Sequence, residues 1–245
     1  MILGKLNIPI AGNALKNSLI SCWEFEETAG TTLYDANGNW HFTANNSPLI
    51  NQDAGKLGKS ILLNGTNQYL NLSTTNMGLV GTDTISVSYW IKPVGITTDM
   101  GALINTYNRN TAVGFITAIR PLTGGNIAFQ CTNINGASNT RQRISTFIPA
   151  NQWVHYVGII YPSTTPPDLF CNNAPDNNSL SSSGTVNQLY FGGYNVALGR
   201  ESYRTTPTGW FKGNISQAAI WKRALTATEI ALLYNAGNGL TYLNW

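Results

Sequence analysis

Short segments in which apolar and polar residues alternate recur along most of the chain, separated by turns rich in Gly, Asn and Pro. Alternation with a period of two is the pattern of β-strands, and its recurrence at short intervals is typical of a sandwich rather than of alternating strands and helices. We therefore predict an all-β fold. At 245 residues the chain can form one large sandwich or two small domains.

Two segments, residues 84–92 and 153–161, carry apolar side chains at both odd and even positions. Strands with two apolar faces are covered on both sides, so we predict two central strands here. His155 falls in the second segment. No other His or Cys lies at ligand spacing from it, and we predict a packed histidine rather than a catalytic or metal-binding one.

A different period appears near the C-terminus. Residues 215–221 are short, apolar and β-prone, and they predict a strand. Thr226 and Glu229 then have the spacing of a capping box. Apolar residues follow at helical spacing until Gly237, a glycine suited to a left-handed helix end. The pattern predicts one short capped helix over residues 227–235.

The order of these segments resembles the laminin G-like domains of the concanavalin A-like lectin/glucanase superfamily. Gly213-Asn-Ile-Ser216, Arg223-Ala-Leu-Thr226 and the following Glu-Ile and Leu-Tyr pairs are similar to the closing signature of those domains. The resemblance covers roughly residues 18–237. It implies a two-sheet antiparallel jelly-roll sandwich with one short C-terminal helix. Further landmarks occur in family order at residues 23–30, 34–39, 55–59, 63–70, 84–93 and 152–157.

The first 17 residues lie outside this pattern. Gly4, Pro9 and Gly12 argue against a helix. We predict an extended N-terminal arm over residues 1–17, followed by the jelly-roll domain over residues 18–245. The apolar side chains of the arm must be buried on its own domain, on a partner or on a second subunit, and we favour the partner. These side chains are Ile2, Leu3, Leu6, Ile8, Ile10 and Leu15.

Charge and cysteine content exclude several classes of function. Charged residues make up only 10% of the chain, and its net charge of +3 forms no basic run, so nucleic-acid binding is not expected. The sequence contains no run of about 18 apolar residues, so no membrane span is predicted. Cys22, Cys131 and Cys171 lack the spacing of a disulfide framework or a zinc site. The neutral, hydrogen-bonding surface suits glycan contact or a crowded assembly, and the composition bias of an AT-rich genome accounts for it equally well.

Glycoside hydrolysis requires two carboxyl groups held across the scissile bond. Glucanases of the resembled superfamily carry Glu-x-Asp-x-x-Glu on one strand, and this motif is absent. Glu24 and Glu26 are expected to share a strand face, the one arrangement that could mimic such a pair. Non-catalytic members of the family carry acidic residues at the positions of Glu26 and Glu27. We therefore expect a protein that is not an enzyme.

The resemblance also implies a calcium site, because laminin G-like domains often bind calcium through loop oxygens. Calcium takes about six to eight oxygen ligands. Asp35 and Asn37 are the expected ligands. The family places a further Asp where this chain has Ser216, and the exchange removes a carboxylate from that site.

Two classes of function remain open. In the first, the domain is a carbohydrate- or receptor-binding module in which sugar rings stack on exposed aromatic side chains and polar side chains fix the hydroxyls. The second is a structural component of a phage or viral virion, a decoration or fibre protein that docks on capsid proteins or on its own subunits through the arm. Candidate ligand-binding residues are Tyr107, Arg109, Tyr203, Arg204 and Trp210, although burial is the favoured interpretation of Trp210.

The start of the chain bears on this choice. Residues after Met1 lack the basic region and continuous apolar stretch of a secretion signal. An extracellular type of module without such a signal predicts a location on a virion or on an extracellular surface. We therefore favour a virion component that displays a lectin-like domain and binds cell-surface glycan. A free-standing carbohydrate-binding module is the alternative, and a glycoside hydrolase is less favoured.

Overall fold

The structure, a computed structural model, describes residues 12–74, 76–94, 101–106, 114–120, 126–133, 136–147, 150–183, 186–189, 195–201 and 209–245. Over these ranges the chain is predominantly β, and none of their helices is long and apolar enough to cross a membrane. The strands are β1 Leu19–Trp23, β2 Thr32–Leu33, β3 Phe42–Asn45, β4 Leu49–Ala54, β5 Lys59–Asn64, β6 Tyr69–Asn71, β7 Ile85–Pro93, β8 Gly101–Asn105, β9 Phe115–Arg120, β10 Asn126–Asn133, β11 Gly136–Phe147, β12 Val154–Ile160, β13 Asp168–Cys171, β14 Ala174–Pro175, β15 Ser179–Ser183, β16 Ala197–Leu198 and β17 Lys212–Trp221. The α-helices are α1 Gly12–Lys16 and α2 Ala227–Tyr234, and short 3-10 helices span Asn235–Gly237 and Tyr242–Asn244.

The strands form two sheets of a jelly-roll sandwich. Sheet 1 has the order β14-β13-β12-β7-β17-β5-β4, and β1 pairs with β17 beside this path. Sheet 2 has the order β15-β11-β10-β9-β8-β16-β6-β3-β2. The pairings within both sheets are antiparallel. The two-sheet antiparallel sandwich predicted from the sequence is confirmed.

The two central strands predicted from the sequence are β7 and β12, which pair with each other in sheet 1. Side chains of one parity, such as Val87 and Tyr156, belong to the main core between the sheets. On the opposite face of sheet 1, Val157 and Ile159 belong to a second core. Both strands are therefore covered on two sides, as their sequence pattern predicts.

The second core covers only part of the outer face of sheet 1. It joins α1, α2 and the C-terminal residue Trp245 to β1, β12 and the C-terminal half of β17. The reason lies in the neighbours of β17. Its C-terminal half pairs with β1, whereas its N-terminal half pairs with β5. Among the described residues, no helix covers the outer face over β5 and the start of β17, and the candidate site lies there.

Helix α2 begins at the predicted capping box. The Thr226 hydroxyl accepts from the backbone N–H of Glu229, and the Glu229 carboxylate accepts from the backbone N–H of Thr226 at 2.8 Å. Glu229 also forms a bidentate ion pair with Arg223, with N–O distances of 2.6 and 2.8 Å. The remaining N–H groups of Arg223 donate to backbone carbonyls of Ala14, Asn17 and Ala224. One guanidinium therefore ties α1, the end of β17 and α2 together.

This ion pair gives the protein an acid-sensitive contact. Burial acts to raise the pKa of Glu229, but hydrogen bonds from Arg223 and Thr226 outweigh it and lower the pKa below the usual 4.5. A carboxylate with a lowered folded-state pKa stabilises the fold above its unfolded-state pKa, and the contribution is lost as the pH falls through the folded-state value.

We expect Glu229→Gln to lower the free energy of unfolding by about 1–2 kcal/mol at neutral pH, because the charge-assisted hydrogen bonds are weakened. The difference from the wild type should shrink once the pH falls below the usual glutamate value. Urea unfolding curves of both proteins across this pH range measure it. A difference that stays constant down to strongly acidic pH would contradict this role for the Glu229 charge.

The predicted extended arm is wrong for its last residues. Gly12–Lys16 form helix α1, and Leu15 is only 1% exposed in the second core. The Leu15 carbonyl accepts a 2.6 Å hydrogen bond from the indole N–H of Trp221. These tertiary contacts outweigh the low helix propensity of a glycine at the first position. Residues 1–11 lie outside the described residues, so most of the arm prediction is not tested.

Candidate functional site

A groove of about 480 Å³ lies on the outer face of sheet 1, over the half that the helices leave uncovered. Its floor is formed by two rows of side chains on three neighbouring strands. The strand register brings them together, because alternate residues of paired strands share a face. The floor residues are Leu62 and Asn64 on β5, Lys212 and Asn214 on β17, and Lys92 and Val94 at the end of β7 and just beyond it.

Cross-strand pairing sets the positions in each row. Asn214 lies directly opposite Leu62 on one side and Lys92 on the other. Lys212 lies opposite Asn64, and its carbonyl accepts from the backbone N–H of Val94 at 3.0 Å. Residues between these positions, such as Leu63, point into the core between the sheets. The groove is therefore built on strands whose other face is fully packed.

The turn over residues 64–68 forms one wall, and its polar side chains are used within the wall. The carboxamide oxygen of Asn64 accepts from the backbone N–H groups of Thr66, Asn67 and Gln68 at 2.9–3.3 Å. The Gln68 carboxamide accepts from the Asn64 N–H at 3.0 Å and donates to the Ser47 carbonyl at 2.8 Å. These bonds fix the wall and leave both amides committed to it.

Gly65 allows this turn to lie against Lys212. The glycine has a φ of +72°, and a Cβ added to it would lie 2.6 Å from the Cβ of Lys212. A side chain at position 65 would therefore be strained and would collide with the lysine. The close packing holds the stem of Lys212 against the wall of the groove.

Three polar groups of the groove carry no hydrogen bond or ion pair within the described part of the chain. They are the ammonium groups of Lys92 and Lys212 and the carboxamide of Asn151. Lys92 is half-buried, and the other two side chains are exposed. Asn151 is held by its backbone, whose N–H donates to the Pro93 carbonyl at 2.7 Å. These three groups are available to a ligand.

Of the ligand-binding residues predicted from the sequence, Tyr107, Arg109, Tyr203 and Arg204 lie outside the described residues. Trp210 is described and is half-buried. Its ring lies 5.9 Å from the ring of Tyr69, and the guanidinium carbon of Arg200 lies 3.8 Å from the Tyr69 centroid. One face of Tyr69 is thus covered by a cation of the chain itself. This arrangement fits a packing role for Trp210. Trp210 also lies only two residues before Lys212, which lines the groove.

Asp35 is a buried organiser of its loop. One carboxylate oxygen accepts from the backbone N–H groups of Cys22 and Asn37, both at 2.9 Å. The other accepts from the Ser21 hydroxyl and from the backbone N–H groups of Asn39 and Trp40, at 3.0–3.1 Å. Both oxygens are surrounded by donor groups whose positive ends face them. The arrangement explains the burial of a carboxylate with an exposure of 4%.

The residues near Asp35 do not fit a calcium ion as they are arranged. Calcium needs several oxygens that converge on one point, and here donors converge instead. The Asn37 amide donates to the carbonyls of Leu19 and Ile20, at 3.2 and 3.1 Å. Ser216 is fully buried and holds the loop beside β5, since its hydroxyl accepts from the Leu57 N–H at 2.9 Å. The described residues contain no cluster of three His, Cys, Asp or Glu side chains suited to a metal.

The expected strand face shared by Glu24 and Glu26 is wrong. Strand β1 ends at Trp23, and Phe25 has a φ of 56°, so the chain leaves the sheet before both glutamates. Each carboxylate holds a different backbone segment. Glu24 accepts from the Tyr242 N–H at 2.8 Å and Glu26 from the Lys59 N–H at 2.7 Å. Glu27 accepts from the Tyr34 N–H at 2.6 Å.

His155 is packed, as predicted. It is 1% exposed between Trp90 and Tyr234, and its Nε2 lies 2.9 Å from the Ser88 hydroxyl. Burial lowers the pKa of His155 to about 3, so the ring stays neutral over the physiological range. Cys22 and Cys171 are free thiols, and burial, with a smaller effect of the Glu24 and Asp35 charges, raises the pKa of Cys22.

Sequence reasoning did not find the groove. Its floor comes from three strands that are distant in the sequence, and no motif connects Leu62, Lys92 and Lys212. A weak signal is present in the alternation itself. In a chain with only 10% charged residues, Lys92 near the end of β7 and Lys212 at the start of β17 are the residues of these two strands that are not buried.

Comparison with solved structures shows the same fold in proteins of low sequence identity. Domain 4 of AbnA, a GH43 extracellular arabinanase from Geobacillus stearothermophilus solved with arabinotriose, is 19% identical with a TM-score of 0.59, and the match covers 91% of this chain and 98% of that domain. The botulinum neurotoxin serotype D binding domain is 16% identical with a TM-score of 0.65. A botulinum neurotoxin type C structure, described with the dependence of cell entry on two ganglioside molecules, is 12% identical with a TM-score of 0.64.

The neurotoxin matches cover 93% and 94% of this chain but only 53% of each neurotoxin chain, so the protein spans about half their length. No curated protein sequence matches this chain significantly. A laminin G family model does match, over residues 64–231, which is more than half of the chain. The protein therefore belongs to the laminin G-like domains of the concanavalin A-like lectin/glucanases superfamily.

Proposed function

We propose that this domain binds saccharide, without hydrolysing it, in the groove over β5, β7 and β17. The observation that carries the proposal is the combination of an apolar floor with polar groups that the fold does not use. Leu62 and Val94 supply the apolar contact, and Lys92, Lys212 and Asn151 supply the donors and an acceptor. The volume of about 480 Å³ falls within the range of roughly 300–1,000 Å³ of small-molecule sites.

The comparisons support a saccharide as the ligand. The arabinanase domain was solved with arabinotriose, and the match extends over nearly the whole of that domain. The neurotoxin matches carry less weight, because half of each neurotoxin chain has no counterpart here. Fold likeness alone does not transfer a ligand, so the groove geometry remains the main support.

The glutamates support binding without catalysis. The nine described residues that line the groove include no Asp or Glu, whereas glycoside hydrolysis needs two carboxyl groups at the scissile bond. Glu24, Glu26 and Glu27 each accept from a backbone N–H and stabilise a loop. Among the described residues, these three carboxylates therefore stabilise loops and do not line the groove.

Blocking the groove tests the proposal. We expect Leu62→Trp to fill the floor and weaken saccharide binding at least about tenfold, a loss of about 1.4 kcal/mol. Titration calorimetry with arabinotriose and with a panel of longer neutral and acidic oligosaccharides measures the affinities. Leu243→Trp is the matched control, because Leu243 is 85% exposed on the C-terminal segment. Its binding and melting temperature should equal those of the wild type.

Two results would argue against this site or this function. Binding that survives Leu62→Trp and disappears in Trp210→Ala would move the site to the cluster of Tyr69, Arg200 and Trp210. Hydrolysis of any bound oligosaccharide that is lost in Glu24→Gln or Glu26→Gln would show an enzyme. We expect both glutamine variants to bind like the wild type and reducing-sugar assays to detect no product.

The virion role stays a prediction. It depends on an arm that docks on another protein, and residues 12–17 instead pack on the domain itself. Attachment to capsid proteins or to a second subunit would fall to residues 1–11, which lie outside the described residues. A location on a virion or on an extracellular surface depends on the same segment.

A further inference from the structure

We propose that the groove selects acidic saccharides, with Lys92 and Lys212 together binding a carboxylate or sulfate group of the sugar. The inference rests on the proposed saccharide-binding function and names the class of ligand. It begins from the two lysines, which are the charged residues of the groove lining.

The register places Lys92 and Lys212 close enough for both side chains to reach one anion. Lys92 lies opposite Asn214 across the β7–β17 pair, and Lys212 is two residues from Asn214 on the same face. They are diagonal neighbours, which in an antiparallel pair lie about 7–8 Å apart, within reach of long side chains. An anionic group between them can accept from both lysines while the ring rests on Leu62 and Val94.

Three other described lysines have a partner for their ammonium group, which Lys92 and Lys212 lack among the described residues. Lys222 pairs with Asp83 at 3.2 Å. The ammonium of Lys16 lies 4.6 Å from the centroid of the Tyr242 ring, and that of Lys56 lies 5.3 Å from the Trp90 ring. Among the described residues, Lys92 and Lys212 have neither a carboxylate nor a ring as partner, and the described lining of the groove contains no acid.

The electrostatic consequence is an uncompensated pair of positive charges above an apolar floor. Two like charges at this separation repel each other, and the low-dielectric floor reduces the screening by water. A bound anion removes the repulsion and adds two charge-assisted hydrogen bonds. A neutral saccharide can accept from the ammonium groups, but it carries no charge to offset their repulsion, so the site should bind acidic saccharides more tightly.

Other features of the groove favour a saccharide over a free inorganic anion. The volume of about 480 Å³ far exceeds the space that one small anion needs. The carboxamide of Asn151 can donate to and accept from hydroxyl groups beside the charged site. Lysine binds as a point charge rather than through a fixed fork, so carboxylate and sulfate groups are both accepted.

The experiment compares acidic with neutral probes on the full chain. Titration calorimetry is done with trigalacturonate, with a sulfated chondroitin oligosaccharide and with neutral arabinotriose. We expect at least one acidic probe to bind at least about tenfold more tightly than arabinotriose, and its affinity to fall as salt is added. The relative affinities of the two acidic probes identify which anionic group the site prefers.

Variants that remove the lysine charges then test whether the preference for acidic probes depends on Lys92 and Lys212. We expect Lys92→Gln/Lys212→Gln to weaken binding of the acidic probes at least about tenfold more than it weakens binding of arabinotriose. Lys92→Arg/Lys212→Arg should retain most of the acidic-probe affinity. The control Lys16→Gln/Lys222→Gln has the same net charge as the glutamine double variant, but both changes lie away from the groove, and it should bind like the wild type. Thermal unfolding confirms that all variants are folded.

Each outcome bears on a separate claim. Equal binding of acidic and neutral probes, with no effect of the lysine changes, overturns the acidic preference and leaves saccharide binding in place. An equal loss in the Lys16/Lys222 control reduces the effect to net charge and also overturns the inference. Binding of none of the saccharides, including the longer panel, overturns the proposed function itself.

Discussion

Replacing Asp35 by alanine is expected to lower the free energy of unfolding by about 3–5 kcal/mol, because it leaves several buried donors without an acceptor. Five donors point at this carboxylate, four of them backbone N–H groups. They join β1 to the loop over residues 35–40, so the loss affects the start of the sandwich as well as the loop. Guanidinium denaturation followed by circular dichroism measures the change.

Asn39→Ala is the matched control for this experiment. Asn39 is exposed in the same loop, and its side chain donates only a 3.4 Å bond to the Asn37 carbonyl. Its loss should change stability by less than about 0.5 kcal/mol. A change in Asp35→Ala as small as that of the control would show that water replaces the carboxylate, and the structural role would then be wrong.

Thermal unfolding of the wild type and of Asp35→Asn tests the calcium prediction. A ligand that binds only the folded state stabilises it by about 2.7 kcal/mol at a hundredfold excess over its Kd. Because donors already occupy both oxygens of Asp35, we expect calcium and a chelator to leave the melting temperature of the wild type unchanged. A rise with calcium that disappears in Asp35→Asn would restore Asp35 as a ligand.

The sequence predicts best where structure is determined by neighbouring residues. The capping box at Thr226 and Glu229 and the helix after it form as predicted, because both partners lie within one turn. The burial of β7 and β12 on two sides follows from apolar residues at both odd and even positions within each segment. The turn at Asn172-Asn173, between β13 and β14, also has a local cause. Both residues have positive φ, 51° and 66°, which asparagine adopts more readily than most residues.

Predictions fail where a distant contact decides the local structure. The alternation of Glu24, Phe25 and Glu26 suggests a continuing strand, but Phe25 turns into the main core with a left-handed backbone. The carboxylates then hold Tyr242 and Lys59, which are remote in the sequence. Nothing within the segment 24–26 specifies those partners. Alternation of apolar and polar residues therefore identifies a strand more reliably than it identifies the residue at which the strand ends.

The candidate site was the least predictable part. The candidates predicted from the sequence are aromatic residues in loops and their polar neighbours, because sugars often stack on aromatic rings. The groove instead combines three strands and becomes visible only from their register and from the hydrogen bonds that commit Asn64 and Gln68 to its wall. The availability of Lys92 and Lys212 is likewise a three-dimensional property, since it depends on which acids fold nearby.

The second large effect concerns the N-terminus, where helix α1 packs on the domain and does not form part of an extended arm. Deleting residues 1–17 is expected to lower the free energy of unfolding by about 3–6 kcal/mol. Burial of Leu15 contributes about 1.5–3 kcal/mol of this. A further part of about 1–3 kcal/mol comes from the buried indole N–H of Trp221, which loses its acceptor, the Leu15 carbonyl. Chemical denaturation of the full and truncated chains measures the sum.

Two point variants separate these contributions from the rest of the deleted segment. Leu15→Ala should cost about 2–5 kcal/mol, because the side chain is fully buried in the second core. Leu243→Ala is the control for loss of a leucine, and its cost should stay within about 0.5 kcal/mol because Leu243 is exposed. A truncated chain as stable as the wild type would show that α1 contributes nothing to the domain.

The deletion also shows how the attachment hypothesis must be tested. A chain lacking residues 1–17 loses part of the domain core, so failure to assemble would only report unfolding. A chain lacking residues 1–11 keeps Leu15 and the carbonyls that bind Trp221 and Arg223. It still removes five of the six apolar residues that suggested an arm. If this shorter deletion leaves the melting temperature unchanged and abolishes assembly on a particle or into an oligomer, the arm is an attachment segment. If assembly persists, or if the full chain is a monomer that binds saccharide, the free-standing carbohydrate-binding module is the better description.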